Sequence, residues 1–168
     1  MFLNCNDAII QKANRVVKRT ESRDAERIVQ ELGINLIEVP FKTQKGAYKV
    51  IERNRYIFIN SSLIEPLRSI VIMHEIGHDQ LHRTKAKEFH EFSIFDMTAN
   101  TMEYEANLFA AHILLPDEEI LEYIYRGYDV AQIAGTMHSD INLVALKAAD
   151  LTLRGYSLRP QEHKRNFL

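Results

Sequence analysis

The sequence predicts an α+β fold, mainly helical, with a small antiparallel three-stranded sheet and a C-terminal helical region. Three observations predict it. Apolar residues recur at helical spacing in several segments bounded by capping residues, glycine or proline. Strand-like composition is confined to residues 34–60. The 168 residues, 46% hydrophobic and 26% charged, suffice for one core, and no repeat or low-complexity tract divides them. A single domain over residues 1–168 is therefore expected.

In the first helix, "NDAIIQKANRVVKR", Ile9, Ala13, Val16 and Val17 share a face, while Lys12, Arg15, Lys18 and Arg19 make a solvated basic one. Ser22 caps a second helix, "RDAERIVQEL", and Gly33 ends it. "INLIEV" then reads as a strand closed by Pro40, and "AYKVIERNRYIFIN" as a hairpin turning near Arg53 and Asn54. Proline is tolerated in a first turn, so a third helix starts near Glu65 and Pro66 and runs to about His82. It carries Leu67, Ile70, Val71, His74, His78 and Leu81 on one stripe. Residues 83–100 have no clean period and form a long connection, a length that is often functional. A fourth helix over about 101–115 stops at Pro116, and three short helical patterns follow, capped by Asp117, Asp129 and Ser139. This divides the domain into a core of residues 1–116, a helical subregion of 117–156 and a mobile tail of 157–168.

Composition narrows the function. A net charge of −2 provides no global attraction to nucleic acid or an anionic membrane. One cysteine, Cys5, allows no intrachain disulfide, which suits a reducing compartment. The N-terminus lacks the pattern of a signal peptide, and no apolar run approaches the ~18 residues of a membrane span. A cytoplasmic protein without a membrane partner is expected.

The stretch "IVIMHEIGHDQLH", residues 70–82, sets three histidines and a glutamate in an apolar run. Burying an unpartnered polar group costs roughly 2–7 kcal/mol, so something must compensate. On a helix His74 and His78 lie one turn apart, about 6 Å along the axis, so both imidazoles can reach one cation. This is the HExxH arrangement of zinc hydrolases. Glu75 is turned about 100° from His74, which removes it from the ligand set but leaves it in reach of a metal-bound water as general base. His82 continues the spacing, yet three side chains spread over about 12 Å of straight helix do not converge on one ion. It reads as a helix-end histidine favoured by the dipole. Gly77 costs roughly 1 kcal/mol in a helix, which a close approach by another segment would justify.

A catalytic Zn2+ takes three protein ligands and one open position for water, so the third ligand comes from another buried helix. "TANTMEYEANLFAAHILLP" offers Glu103 and Glu105. Glu103 shares a face with Asn107 and Ala110, pairing a carboxylate with an amide one turn on that can orient a histidine. Glu105 lies about 200° away, toward Leu108 and His112, and is the alternative. His112 reads as a surface or packing residue.

"ELGINLIEV", "RYIFINSSL", "HEIGHDQLH" and "EYEANLFAAHILLP", in that order, resemble the ImmA/IrrE family of zinc metallopeptidases over about residues 28–156. The resemblance implies a zincin-like metallopeptidase core with active-site helices at about 66–82 and 101–115. It implies His74, His78 and Glu103 as metal ligands for one zinc ion and Glu75 as catalytic base. It implies a cytoplasmic endopeptidase that site-specifically cleaves a helix-turn-helix repressor protein, relieving repression of phage, mobile-element or stress genes. The end of the chain, "DVAQIAGTMHSDINLVALKAADLTLRGY", resembles the family's helix-turn-helix-like region, with Ser139 or Asp140 starting its second helix. Asp79 departs from the pattern, because zinc-peptidase helices usually carry an uncharged residue after the second histidine.

Further expectations concern substrate handling. The strand "RYIFIN" offers an edge on which a substrate could lie extended. Tyr56, Tyr104 or His90 could stabilise the oxyanion, and the connection after His82 could gate access. The rival reading is a non-cleaving repressor-binding or DNA-binding module with a structural metal. Its recognition helix, "INLVALKAADLTLR", offers phosphate only Lys147 and Arg154, so direct nucleic-acid binding is not expected.

Overall fold

A computed structural model describes residues 5–85 and 101–158. Most of the expected connection, with His90, and nearly all of the expected tail lie outside the described residues. The chain divides into two compact units, Met1–Leu114 and Leu115–Leu168. Among the described residues, no helix is long and apolar enough to cross a membrane.

The first unit runs α1 (Cys5–Thr20), α2 (Ala25–Glu31), β1 (Asn35–Val39), β2 (Gly46–Ile51), β3 (Asn54–Asn60), α3 (Leu67–His82), a 3-10 turn (Arg83–Lys85) and α4 (Thr101–Leu114). Ile9, Ala13 and Val16 of α1 are buried as their spacing predicts. Lys12 is not left to solvent, since its Nζ donates to the Gln80 carbonyl at 2.8 Å. The cap of α2 is Asp24 rather than Ser22: its carboxylate accepts from the Arg27 amide at 2.8 Å, while Ser22 Oγ accepts from the Asp24 amide.

The mainly helical α+β class holds, but the three-stranded sheet is mixed, not antiparallel. Its order is β1-β3-β2, with β2 antiparallel to β3 and β1 parallel to it. The physical reason is the use of β2 as the return path. The chain leaves β1 through residues 40–45, skips one strand position, runs back along β2 and re-enters between the two as β3. This puts Ile57 and Ile59, both fully buried, at the centre. Asn60 holds the connection in place, donating from Nδ2 to the Phe41 carbonyl at 3.0 Å and the Gln44 carbonyl at 2.8 Å. The hairpin turns at Glu52 and Arg53, both with positive φ (48° and 69°), one residue earlier than expected. Two such residues make the tight turn whose twist suits a hairpin. "RYIFIN" is thus the paired middle strand, and the sheet's edges are β1 and β2.

From Ile70 to Asp79 every residue of α3 is buried, so this helix is surrounded rather than striped. Gly77 explains how α4 comes so close. A Cβ there would lie 3.0 Å from both Cα and the carbonyl oxygen of Ala106, which are backbone atoms that cannot step aside. Gly77→Ala therefore costs about 1–3 kcal/mol by overpacking, more than the roughly 1 kcal/mol of helix propensity that alanine contributes. The urea midpoint of the variant falls, whereas an unchanged midpoint would mean the two helices can separate freely.

Asp79, the unexpected charge, is a buried anchor. Its carboxylate accepts from the Tyr48 hydroxyl at 2.7 Å and pairs with Arg55 at 3.0 Å and Arg83 at 3.2 Å. It ties α3 to β2 and β3, since a buried carboxylate is tolerated when paired and hydrogen-bonded.

The second unit contains α5 (Asp117–Tyr125), α6 (Val130–Thr136) and α7 (Ile141–Leu153). Pro116 is the N-cap of α5 and Asp117 its first residue. Asp129 caps α6 in a reciprocal box with Gln132, and Asp140, not Ser139, caps α7 by accepting from the Asn142 amide at 2.7 Å. Lys147 is fully buried, 2.5 Å from Asp117, and Arg154 lies 2.6 Å from the same carboxylate. Burial would raise the Asp117 carboxyl, but the hydrogen bonds and charges of Arg154 and Lys147 outweigh it and hold it at about 2, against 3.8 unperturbed. The unfolded chain takes up this proton first, so the contribution is complete above pH 3.8 and lost as pH falls toward 2. Solvent reaches part of the side chain, so salt weakens the effect. Carbon NMR of the full chain checks it: the Asp117 carboxyl titrates near pH 2, and titration near 3.8 would show that the pairing does not form.

Candidate metal centre

Two neighbouring helices of the first unit supply the centre. One turn of α3 separates His74 from His78, and α4 brings Glu103 opposite them. The Nε2 atoms of His74 and His78 are 3.1 Å apart, His74 Nε2 is 3.2 Å from Glu103 Oε2, and His78 Nε2 is 3.1 Å from Glu103 Oε1. All three residues are buried, at 2%, 4% and 2% exposure. Burial pushes the His78 imidazole down to about 4, favouring the neutral ring that a metal requires. Burial would raise Glu103, but hydrogen bonds from both histidines and their charge outweigh it and hold it at about 2.

These residues fit a metal ion. Apart from the two imidazole nitrogens, neither Glu103 oxygen meets a donor among the described residues. Without a cation, only protons on the rings reconcile these nitrogens with the carboxylate. Burial would lower the His74 imidazole, but the Glu103 hydrogen bond and the charges of Glu75 and Glu103 outweigh it and hold the ring above its usual value. A metal ion would take the place of those protons. A tetrahedral ion about 2.0 Å from each atom needs edges of roughly 3.3 Å between ligand atoms. The two Nε2 atoms, 3.1 Å apart, and the contact of each ring with its own Glu103 oxygen, 3.2 Å to Oε2 and 3.1 Å to Oε1, are close to that edge length, and one ligand atom from each residue lies within 4.8 Å of the others. His74, His78 and Glu103 form the one group among the described residues whose His, Cys, Asp or Glu atoms converge in this way.

The surrounding groups orient the ligands. Asn107, one turn after Glu103, places Oδ1 2.8 Å from His74 Nδ1, so the ring donates there and keeps Nε2 for the centre. Glu105 does not join the triangle. Its Oε2 lies 2.7 Å from His82 Nε2, and His82 Nδ1 lies 3.2 Å from His78 Nδ1. Sequence reasoning tested His82 only as a ligand and set it at the helix end. The same four-residue spacing could have indicated a ring contact with His78 instead.

Glu75 is buried beside His74, and its carboxylate accepts the Tyr48 backbone amide. Burial pushes this carboxyl up to about 7, where it exchanges protons near neutrality. Strand β2 begins with glycine for a steric reason: a Cβ at Gly46 would fall 2.9 Å from Glu75 Oε1 and 2.7 Å from Val71 Cγ1. Gly46→Ala displaces the Glu75 carboxylate, and misplacement near 1 Å can cost about 100-fold in rate. We expect turnover to drop 10- to 100-fold with metal content unchanged, which an assay beside a metal determination checks.

Of the expected oxyanion donors, Tyr56 alternates with Ile57 on β3 and lines a groove with α2 and β1. Tyr104 accepts from Asn6 of α1 at 3.3 Å. Neither lies in the triangle. His112 is buried near the end of α4, where Arg23 donates to its carbonyl at 3.2 Å and to that of Ile113 at 2.7 Å.

Residues 29–147 match the peptidase family described as the IrrE N-terminal-like domain. The chain belongs to the ImmA/IrrE family. It is also 34% identical over 122 residues to "Uncharacterized immunity region protein 2" of Bacillus phage phi105, covering 71% of this chain and 76% of that protein. ImmA/IrrE membership makes the protein a metallopeptidase-type enzyme with a site able to bind a metal at His74, His78 and Glu103.

Proposed function

We propose that the protein is a zinc-dependent endopeptidase that site-specifically cleaves a helix-turn-helix repressor, relieving repression of phage, mobile-element or stress genes. The observation that carries the peptidase reading is the buried triangle of two imidazole nitrogens and a carboxylate, with the proton-accepting Glu75 alongside. In this reading His74, His78 and Glu103 hold one Zn2+, which supplies Lewis acidity toward water and the scissile carbonyl. Glu75 takes a proton from the attacking water and delivers it to the leaving amine. Its buried carboxylate, fixed by the Tyr48 amide, is aimed before substrate arrives.

Strand β2 replaces β3 as the surface for an extended substrate. It is a sheet edge, and its Gly46–Tyr48 stretch lies against Glu75. A peptide added there would be held by main-chain hydrogen bonds next to the base.

The repressor substrate is supported by the name of the phage relative, which refers to an immunity region. We place the reaction in the cytoplasm, where such a repressor acts. Direct nucleic-acid binding finds little support in α7, since its Lys147 and the Arg154 that follows it both pair with Asp117. Incubating the purified protein with its neighbouring repressor, with and without a chelator, tests the reading. Fragments that disappear with chelator are expected. A stable complex without fragments would instead mean a binding module.

A further inference from the structure

The pair His82–Glu105 lies behind His78 and takes no part in the function as proposed so far. His78 presents Nε2 to Glu103 and His74. If that lone pair is to hold a cation, the ring's proton must sit on Nδ1. His82 Nδ1 is 3.2 Å away and must then accept. It can accept only with its own proton on Nε2, and that atom lies 2.7 Å from Glu105 Oε2, an oxygen suited to accept it. All three tautomeric demands agree. The other histidine is served differently, by the neutral oxygen of Asn107.

We infer that His82 is a positioning residue for the metal centre: it accepts the His78 Nδ1 proton, fixes that ring's tautomer and orientation, and passes to it the influence of the Glu105 carboxylate. This rests on the metal-site reading above. An imidazole whose far nitrogen donates toward a charged chain is a more basic ligand, and such outer partners typically change metal affinity by about 10- to 100-fold. The four-residue spacing that keeps His82 from binding the ion itself is what sets its ring beside that of His78, tilted by 51° with centroids 5.4 Å apart.

The test is zinc affinity of the full chain, measured by competition with a chromophoric chelator and paired with thermal melts of the metal-free protein. His82→Phe keeps an apolar ring but no acceptor, and is expected to weaken zinc binding about 10- to 100-fold without moving the metal-free melt. His82→Asn places Oδ1 near the former Nδ1 and should recover most of the loss, which a purely space-filling role would not require. Glu105→Gln, at a side chain 21% exposed, should fall between them and decides the matter if His82→Phe does not fold. Cobalt-substituted variants should show a shifted visible spectrum. Wild-type affinity and spectrum in His82→Phe, or in Glu105→Gln and Glu105→Ala should His82→Phe not fold, would overturn the inference while leaving the metal site intact. A wild-type chain that binds no zinc would remove the metal site and this inference together.

Discussion

Glu75→Gln is expected to keep its zinc and to lose about 100- to 10,000-fold in turnover, the range general-base catalysis contributes. Glutamine matches the shape of the side chain and can still accept the Tyr48 amide, so the neighbouring ligands are undisturbed. What disappears is the site that receives the water's proton. The same substitution has a signature in the metal-free protein. Burial raises the Glu75 carboxyl to about 7, so between pH 4.5 and 7 the folded chain binds more protons than the unfolded one. Stability associated with this group is complete below 4.5 and is lost as pH rises through about 7. The metal-free variant therefore gains on the wild type in thermal melts as pH rises toward 8, and matches it in acid. A Glu75→Gln protein that cleaves as fast as wild type would end the assignment of the base.

Glu103→Ala is expected to lower zinc affinity more than about 100-fold, beyond the range of outer-shell changes, and to abolish cleavage. The carboxylate stands opposite both histidines at 3.1–3.2 Å, and without it the two nitrogens make an incomplete set. Glu105→Ala provides the contrast, because its carboxylate meets His82 instead of the centre. It should retain zinc with an affinity reduced only within the outer-shell range. Isothermal titration of both variants separates the two glutamates. Equal affinities, or a larger loss at Glu105, would reverse their roles.

The helical phase of α4 was legible because 3.6-residue periodicity is local. It put Glu103, Asn107 and Ala110 on one face before any tertiary information, and the structure places Glu103 and Asn107 against His74. Gly77 was legible for a similar reason, as an unfavourable residue in a helix that closeness to Ala106 explains. Strand order was not, because β1 and β3 pair across a whole intervening strand and nothing in either segment encodes parallel or antiparallel partnership. The substrate edge was therefore assigned to β3 when β2 is the strand beside Glu75. Asp79 stood out only as a departure from the zinc-peptidase pattern and Lys147 only as a possible phosphate contact, because their partners, Tyr48 with Arg55 and Asp117, lie far along the chain. The link from His82 to Glu105 was hidden for the same reason: each residue was judged for ligation alone, and their meeting depends on how closely α3 and α4 approach.

Everything turns on whether one ion sits where these three side chains converge. Anomalous diffraction recorded across the zinc absorption edge, from crystals of protein purified with zinc present, tests this directly. The account predicts a single peak about 2 Å from His74 Nε2, His78 Nε2 and a Glu103 oxygen, with Glu75 beside it. A zinc-supplied crystal with no peak there, or with Glu103 turned to solvent away from both histidines, would contradict it.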